Sequence, residues 1–409
     1  MIYAQFFLGS IKRILIGSKV YYAWVLFLLA LVLMGAFAYY DQVTTGLITT
    51  RMRDQVPWGL YIGNFTFLVG VAAAAVVLVI PAYIYDWGPI KEIVIFGELL
   101  AISAIAMCFL FVTVDIGRPD RVWHLFPIVG GLNLPFSILA WDVVVLTLYF
   151  LLNFSIATYL VYKAFTGKKY STKIVVPLVL LSIPLAVSIH TVTAFLYSGI
   201  PARPFWNASI LAPRFLASAF CSGPALIVML LQVLRKTTSF KIQDEAIWKV
   251  AELMAYAMFL NLFLFGAEIF KEYYSDTHHL IFHEYAFFGV RGHNAIVIPV
   301  WTALIFQIAA LVLFLIPRTR KNWITLNIGC VMIYLGVYIE KGLGLVIPGL
   351  TPDVLGEIYE YFPSWTELKV TAGIYAAGFL LFTFMVKIAN SITLGEFQFE
   401  PKREGPAQQ

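Results

Sequence analysis

Charge is scarce in this chain. Only 12% of its 409 residues are Asp, Glu, Lys or Arg, while 61% are hydrophobic. That balance excludes an ordinary soluble domain. Cysteine is scarcer still: Cys108, Cys221 and Cys330 stand singly inside apolar stretches, and no CxxC pair occurs. This spacing gives no iron–sulfur or zinc site of the usual kind within one chain. Of six histidines, only His190 lies deep in an apolar span, and His293 at most enters the edge of another. A b-type haem needs paired axial ligands at matching depth, so no haem is expected here. His278, His279 and His283 share a loop with Glu284. The 279/283 spacing places two imidazoles on one helical face, yet a solvated or partner-facing loop is the simpler reading, and no metal is expected. No nucleic-acid partner is expected either.

What the chain does have is long apolar runs, at about 21–40, 57–83, 92–115, 134–162, 174–198, 209–234, 246–270, 293–316, 323–345 and 366–388. Runs of ~20 apolar residues cross a ~30 Å hydrocarbon core. Backbone groups in lipid must be satisfied internally, and the runs are too long for barrel strands. The expected class is therefore an all-α integral membrane protein with ten transmembrane helices. Lys12, Arg13 and Lys19 precede the first run without a small-residue cleavage site, so an uncleaved first helix is expected. Eighteen of the 28 basic residues, Lys402 and Arg403 among them, fall on one side: the two termini and the loops after spans two, four, six and eight. The positive-inside rule then puts both termini in the cytoplasm of a cytoplasmic-membrane protein.

Matching polar offsets suggest a repeat. Glu98 in GELLA of span three pairs with Glu252 in AELMA of span seven, Asp115 with Glu268, Trp58 with Trp206, and Trp141 with Trp301. Spans two to five and six to nine then form two parallel-related four-helix bundles, flanked by helices one and ten. The corresponding division is 1–56, 57–198, 199–345 and 346–409.

The chain is organised around Pro57–Pro81, PWGLYIGNFTFLVGVAAAAVVLVIP, a polar head on an apolar body. Interfacial anchoring accounts for Trp58 and Tyr61 as well as ligand contact does. Asn64, one turn deeper, needs a partner. Trp58, Tyr61, Asn64, Asp115, Arg118, Asn133, Asp142 and His190 all belong to the outer half of the first repeat. Aromatic walls with a histidine, an amide and carboxylates suit a quinone, whose reduction exchanges two protons. His190, with Asp142 or Asp115, is the expected proton-exchange set. Glu98, Glu252, Asn261 and Glu268 place polar groups along the membrane normal, with ~24 Å of helix between Glu252 and Glu268; they suit a proton route. A secondary transporter with parallel repeats is the alternative. Such proteins break helices at matching places; Pro213 and Pro224 interrupt span six, whereas span two shows no counterpart.

At Asp115–His124, DIGRPDRVWH, the chain resembles the NrfD/polysulfide-reductase membrane subunits, whose pattern is D-x-G-R-P-D-R-x-W-H. The head of span two, PWGLYI, and the run KGLGLVIPGLTPDVLGEIYEYFPSWTE from Lys341 to Glu367 resemble them too. The length and that last motif are most similar to the ten-helix DsrP- and Hmc-type subunits of sulfur-metabolism redox complexes. The resemblance implies a menaquinone or other quinone bound on the outer side, with no haem or cluster in this chain. It also implies electron exchange with an extracytoplasmic ferredoxin-type iron–sulfur subunit, alongside other redox subunits. The loop motif reads either as part of the quinone mouth or as a structural clasp, with Arg118 and Arg121 pairing Asp115 and Asp120. Thr351-Pro352 reads as the cap of a short surface helix over 353–361.

Overall fold

A computed structural model describes residues 2–126 and 128–399. Lys402 and Arg403, with the rest of the expected cytoplasmic tail, lie outside the described residues. Among the described residues, ten helices are long and apolar enough to cross a membrane. They are Lys19–Thr45, Leu60–Ile84, Val94–Asp115, Ile138–Phe165, Thr172–Ser198, Leu211–Thr237, Asp244–Ser275, Val297–Leu315, Trp323–Leu350 and Trp365–Thr393, here spans one to ten. Span seven extends well past its apolar run. Its 32 residues make ~48 Å of helix, longer than the hydrocarbon core.

Spans two to five each pack on the next, and span five returns to span two. Spans six to nine close a second ring in the same order. The rings meet where span six packs on spans two and five and span nine packs on span two. Span ten lies against spans one, three and four. Its approach to span one is backbone on backbone: a Cβ added at Gly373 would sit 2.8 Å from the Gly35 Cα. Two glycines permit that distance, the usual device for helix association in lipid.

Contacts distant in sequence tie each end of the molecule. At the terminal end, the Phe399 amide donates to the Phe165 carbonyl at 2.9 Å, and Arg13 pairs with Glu396. The helix Ile2–Leu15 also lies there, with Tyr3 stacked on Tyr162 at 5.0 Å. The apolar runs give no sign of this helix, because its apolar residues alternate with polar ones instead of forming a continuous stretch. At the opposite, loop end, the Arg203 guanidinium donates to the Leu350 carbonyl at 3.2 Å and the Ala295 amide to Glu360 at 3.0 Å.

Three local expectations are corrected. Span six is one continuous helix: Pro213 falls in its first turn, where an amide has no helical acceptor anyway. The interrupted spans are two and nine. Span two turns at Ala73 and ends in a wide π segment, Ile80–Ile84, around Pro81. Span nine breaks at Gly342, whose backbone leaves the helical region, and that break lies against Gly63 of span two. Lastly, 353–361 forms a turn rather than a helix. The Asp353 carboxylate accepts from the Leu355 and Glu357 amides at 2.9 and 2.8 Å, competing with helical bonding. Gly356, at φ +80°, completes the turn. The cap in this region is Ser364 with Glu367, a capping box that starts span ten.

Candidate functional site

Span five presents His190, Thr193 and Tyr197 to the interior of the first ring, and all three are buried. Spacings of three and seven put them on one helical face. Two of these rungs are closed. The Tyr197 hydroxyl bonds Thr66 of span two, and Thr193 donates to Asp142 of span four at 2.8 Å. The deepest rung is open. His190 Nδ1 lies 2.7 Å from the Ala186 carbonyl, while Nε2 is buried without a partner among the described residues. The carbonyl can only accept, so Nδ1 carries hydrogen and Nε2 is left as a bare acceptor.

Above this column, Trp58 stacks on Trp206 with ring centroids 5.7 Å apart, and Tyr197 meets both rings edge-on. The sequence pairs these tryptophans as repeat mates; the structure brings them into contact where the two rings join. The Trp206 indole donates to the Leu345 carbonyl at 2.9 Å. Tyr61 is fully buried and donates to Gln42 Oε1 at 2.7 Å, and Gln42 Nε2 donates to the Val114 carbonyl at 2.7 Å. The next residue, Asp115, ends span three with Oδ1 buried and without a partner among the described residues.

Asn64 has its partners within the protein. It donates to the Leu60 carbonyl at 2.7 Å and accepts from Tyr338 and Tyr375 at 3.0 and 2.9 Å. Its amide oxygen is thereby saturated, and it acts as a joint between spans two, nine and ten. Glu367 clamps the loop end. Its carboxylate accepts from Tyr361, the Arg51 amide at 2.9 Å and the Ser364 amide at 2.9 Å, and Tyr361 in turn accepts from the Leu60 amide at 2.8 Å. Sequence reasoning misses Gln42, Tyr338, Tyr375 and Glu367. Only the motif ending in Glu367 carries a signal for any of them.

Two predicted ligand residues lie outside this interior. Arg118 is exposed and fastened to Asp120 by two bonds of 3.0 Å. Those bonds hold the Asp120 carboxyl below its ordinary range. Arg118 therefore closes the loop on itself and does not pair with Asp115. Asn133 is exposed in the turn before span four, where its carbonyl accepts the Phe136 and Ser137 amides.

The four residues of the expected proton route separate. Glu98 is buried in the first ring, and neither carboxylate oxygen has a partner among the described residues. Asn261 and Glu268 lie in the second ring, seven residues apart on the buried stripe of span seven. Glu252 does not join them. It lies about half a turn round the helix from Asn261, with its side chain 26% exposed beside Lys249 and Arg320. Glu98 and Glu252 thus differ in their surroundings, although the tryptophans at the ends of spans four and eight behave alike. The Trp141 and Trp301 indoles each donate to a carbonyl in the preceding segment, of Pro135 at 3.0 Å and Phe287 at 2.9 Å.

The second ring holds a charge network that the sequence does not reveal. Arg214 binds Glu268 and, at 2.6 Å, Glu340. Lys341 lies 3.2 Å from Glu340. Gln307 donates to Glu340 at 2.8 Å, and Asn261 bridges Gln307 and Glu340 at 2.9 and 3.2 Å. Two cations face two carboxylates, which is the way buried charge is tolerated in lipid. In the sequence, Lys341 stands out only as the start of a loop motif, and Arg214 and Glu340 carry no such signal.

Three curated relatives match nearly end to end. A protein of Halobacterium salinarum named as a dimethyl sulfoxide reductase membrane subunit is 25% identical, covering 87% of this chain and 88% of the relative. A selenate reductase subunit of Mesobacillus selenatarsenatis is 23% identical, over 87% and 91%. The Hdr-like menaquinol oxidoreductase integral membrane subunit of Archaeoglobus fulgidus is 24% identical, over 92% and 95%. The family described as polysulphide reductase, NrfD, matches residues 48–352, three quarters of the chain. By that match, on a ten-span helical fold, the protein belongs to the NrfD polysulphide reductase family.

Proposed function

We propose that this chain is the quinone-interacting membrane subunit of a multi-subunit redox complex. In this reading, electrons pass between menaquinol or another quinone and an iron–sulfur partner docked on the loop end. The carrying observation is His190: buried, oriented by the Ala186 carbonyl, and left with Nε2 free in the loop-end half of the first ring. The relatives' names support a redox-complex subunit, and the Archaeoglobus relative's name supports menaquinol in particular.

A quinol supplies two electrons and two protons. Nε2 of His190 is the base suited to accept one of those protons. In this reading Asp142, held by Thr193 one turn outward, takes the second proton. The Trp58–Trp206–Tyr197 group roofs the column and keeps bulk water out. The basic-residue asymmetry supports a loop end outside the cytoplasm. The loop after span three exposes Phe126, Ile128 and Phe136 there, which suits a partner protein. The broken spans, two and nine, are not repeat mates, so they lend the transporter alternative no support, and family membership favours the redox reading.

Proton transfer across the membrane is a second reading, supported by the unpartnered carboxylate of Glu98 in the terminal-end half of the first ring. Both readings are tested by quinol oxidation and proton release in the reconstituted complex. His190→Gln lowers oxidation by about 100-fold or more if the first reading holds. Glu98→Gln leaves oxidation intact but lowers proton release per electron if the second holds.

A further inference from the structure

The helix Ile2–Leu15 has no part in the site above, and its packing is one-sided. Phe6, Gly9, Ser10 and Arg13 turn toward the protein. Phe6 meets Phe165 at 5.2 Å, Gly9 lies flush on the Phe397 ring, Ser10 is buried, and Arg13 pairs with Glu396. The end of the helix is fastened as well. The Tyr21 and Tyr22 hydroxyls of span one donate to the Ile14 and Leu15 carbonyls at 2.7 and 2.9 Å. Those are two of the carbonyls that a helix leaves unpaired at its C-terminus.

These contacts set the direction of the helix. Its last residues are held at the start of span one, its middle just past span ten, and Tyr3 and Phe6 at the end of span four. Its 14 residues make ~21 Å of helix. That length crosses the terminal end of the bundle between the three spans and does not enter it.

The rest of the helix surface divides in two. Tyr3, Phe7, Leu8, Ile11 and Leu15 form an apolar stripe ~140° wide, with Tyr3, Phe7 and Leu15 74%, 66% and 67% exposed. Gln5 and Lys12 lie beyond it on a polar flank, and the helix carries no acidic residue. Two features identify what covers the stripe. Tyr3 stacks on Tyr162 at 5.0 Å. Tyr162 follows Leu151 by three helical turns, on the side of span four where Leu148 and Leu151 are exposed. The stripe therefore continues the lipid-facing surface of the bundle. The polar flank offers a cation, Lys12, which suits lipid phosphates.

We propose that Ile2–Leu15 is an interfacial helix whose partner is the bilayer itself. It lies in the plane of the cytoplasmic leaflet, with its apolar stripe ~5–10 Å into the headgroup–acyl boundary and Lys12 among the phosphates. The identity of the leaflet follows the orientation given above, and immersion of the stripe is independent of the quinone reading. By holding Glu396 and Phe397, the helix ties the segment after span ten to the membrane surface.

The test uses the whole complex in nanodiscs of phosphatidylcholine and phosphatidylglycerol, with bimane on Phe7→Cys or Lys12→Cys. Both positions are exposed, whereas Cys108, Cys221 and Cys330 are buried, and wild type carried through the same labelling gives the background. The quenchers are aqueous iodide and phosphatidylcholine bearing a nitroxide near the headgroup or near the chain end. At Phe7→Cys the headgroup-proximal nitroxide quenches about twofold or more above the chain-end one, and iodide quenches little. At Lys12→Cys iodide is the stronger quencher. Quenching at Phe7→Cys by iodide and by neither lipid overturns the proposal, because the stripe then faces the cytoplasm. Quenching there by none of the three overturns it in favour of a partner subunit or a second copy of this chain. Stronger quenching by the chain-end nitroxide overturns the in-plane placement. All three results leave the His190 reading untouched.

Discussion

Thr193 donates to Asp142 across the contact of spans four and five at 2.8 Å. The bond fixes the rung directly outward of His190, so a carboxylate and an open imidazole are held one turn apart in the same apolar interior. Both groups are buried. Removing either, with the shape kept, changes the polar groups of that interior more than its packing.

His190→Gln keeps a polar side chain of similar length and removes the base. Quinol oxidation by the assembled complex should fall by about 100-fold or more, the range for loss of a positioned proton acceptor. The complex should keep all its partners on size exclusion. Activity within a factor of a few of wild type would remove His190 from proton exchange.

Thr193→Val deletes the donor to Asp142 while keeping side-chain shape. A buried carboxylate loses its bond, and stability should drop by about 1–3 kcal/mol, read as a lower thermal midpoint in detergent. Asp142→Asn retains the accepting oxygen. It should melt near wild type, yet lose activity if the carboxylate takes part in proton exchange.

Arg214→Met leaves Glu268 and Glu340 unpaired in the second ring. Breaking a buried ion network on one side costs about 3–5 kcal/mol. Poor accumulation of the protein is expected, with partial recovery in Arg214→Met/Glu268→Met. Equal stability of the single variant and wild type would contradict the buried network described for spans six, seven and nine.

His283 lies on the short helix Leu280–Phe287, outside the spans, and burial depresses its pKa below the ordinary histidine value even with Glu268 and Glu272 nearby. The folded state therefore resists a proton that the unfolded chain accepts. The resulting stability is present above the ordinary histidine value and is lost on acidification. His283→Asn should flatten the dependence of the thermal midpoint on pH between about 5 and 7.5. A wild-type midpoint that rises on acidification through this range would contradict the sign.

Gly373→Leu inserts a side chain where a Cβ already meets the Gly35 Cα at 2.8 Å. Overpacking of this kind costs about 1–3 kcal/mol. Span ten should loosen from span one, seen as faster proteolysis of the C-terminal segment.

The fold is legible in the sequence because apolar length is a property of composition. All ten spans follow from it, and a two-ring arrangement follows from the repeat. Among the candidate residues, depth and residue type mark His190, Asp142 and Tyr61 as interior, and the structure buries all three. Register is not legible. A matching motif puts Glu252 beside Glu98 in the repeat, but half a turn of helix decides whether a carboxylate faces the core or the surface. Long-range joints such as Asn64 with Tyr375, or Arg214 with Glu340, depend on which spans touch, and local spacing carries no sign of that.

The most direct measurement is a structure of the reconstituted complex with a menaquinone analogue bound. A ring is expected in the first bundle at the loop end, with a ring oxygen within ~3.2 Å of His190 Nε2. A first-bundle interior that stays empty under saturating analogue, or a ring seated at the terminal end of that bundle, would contradict it.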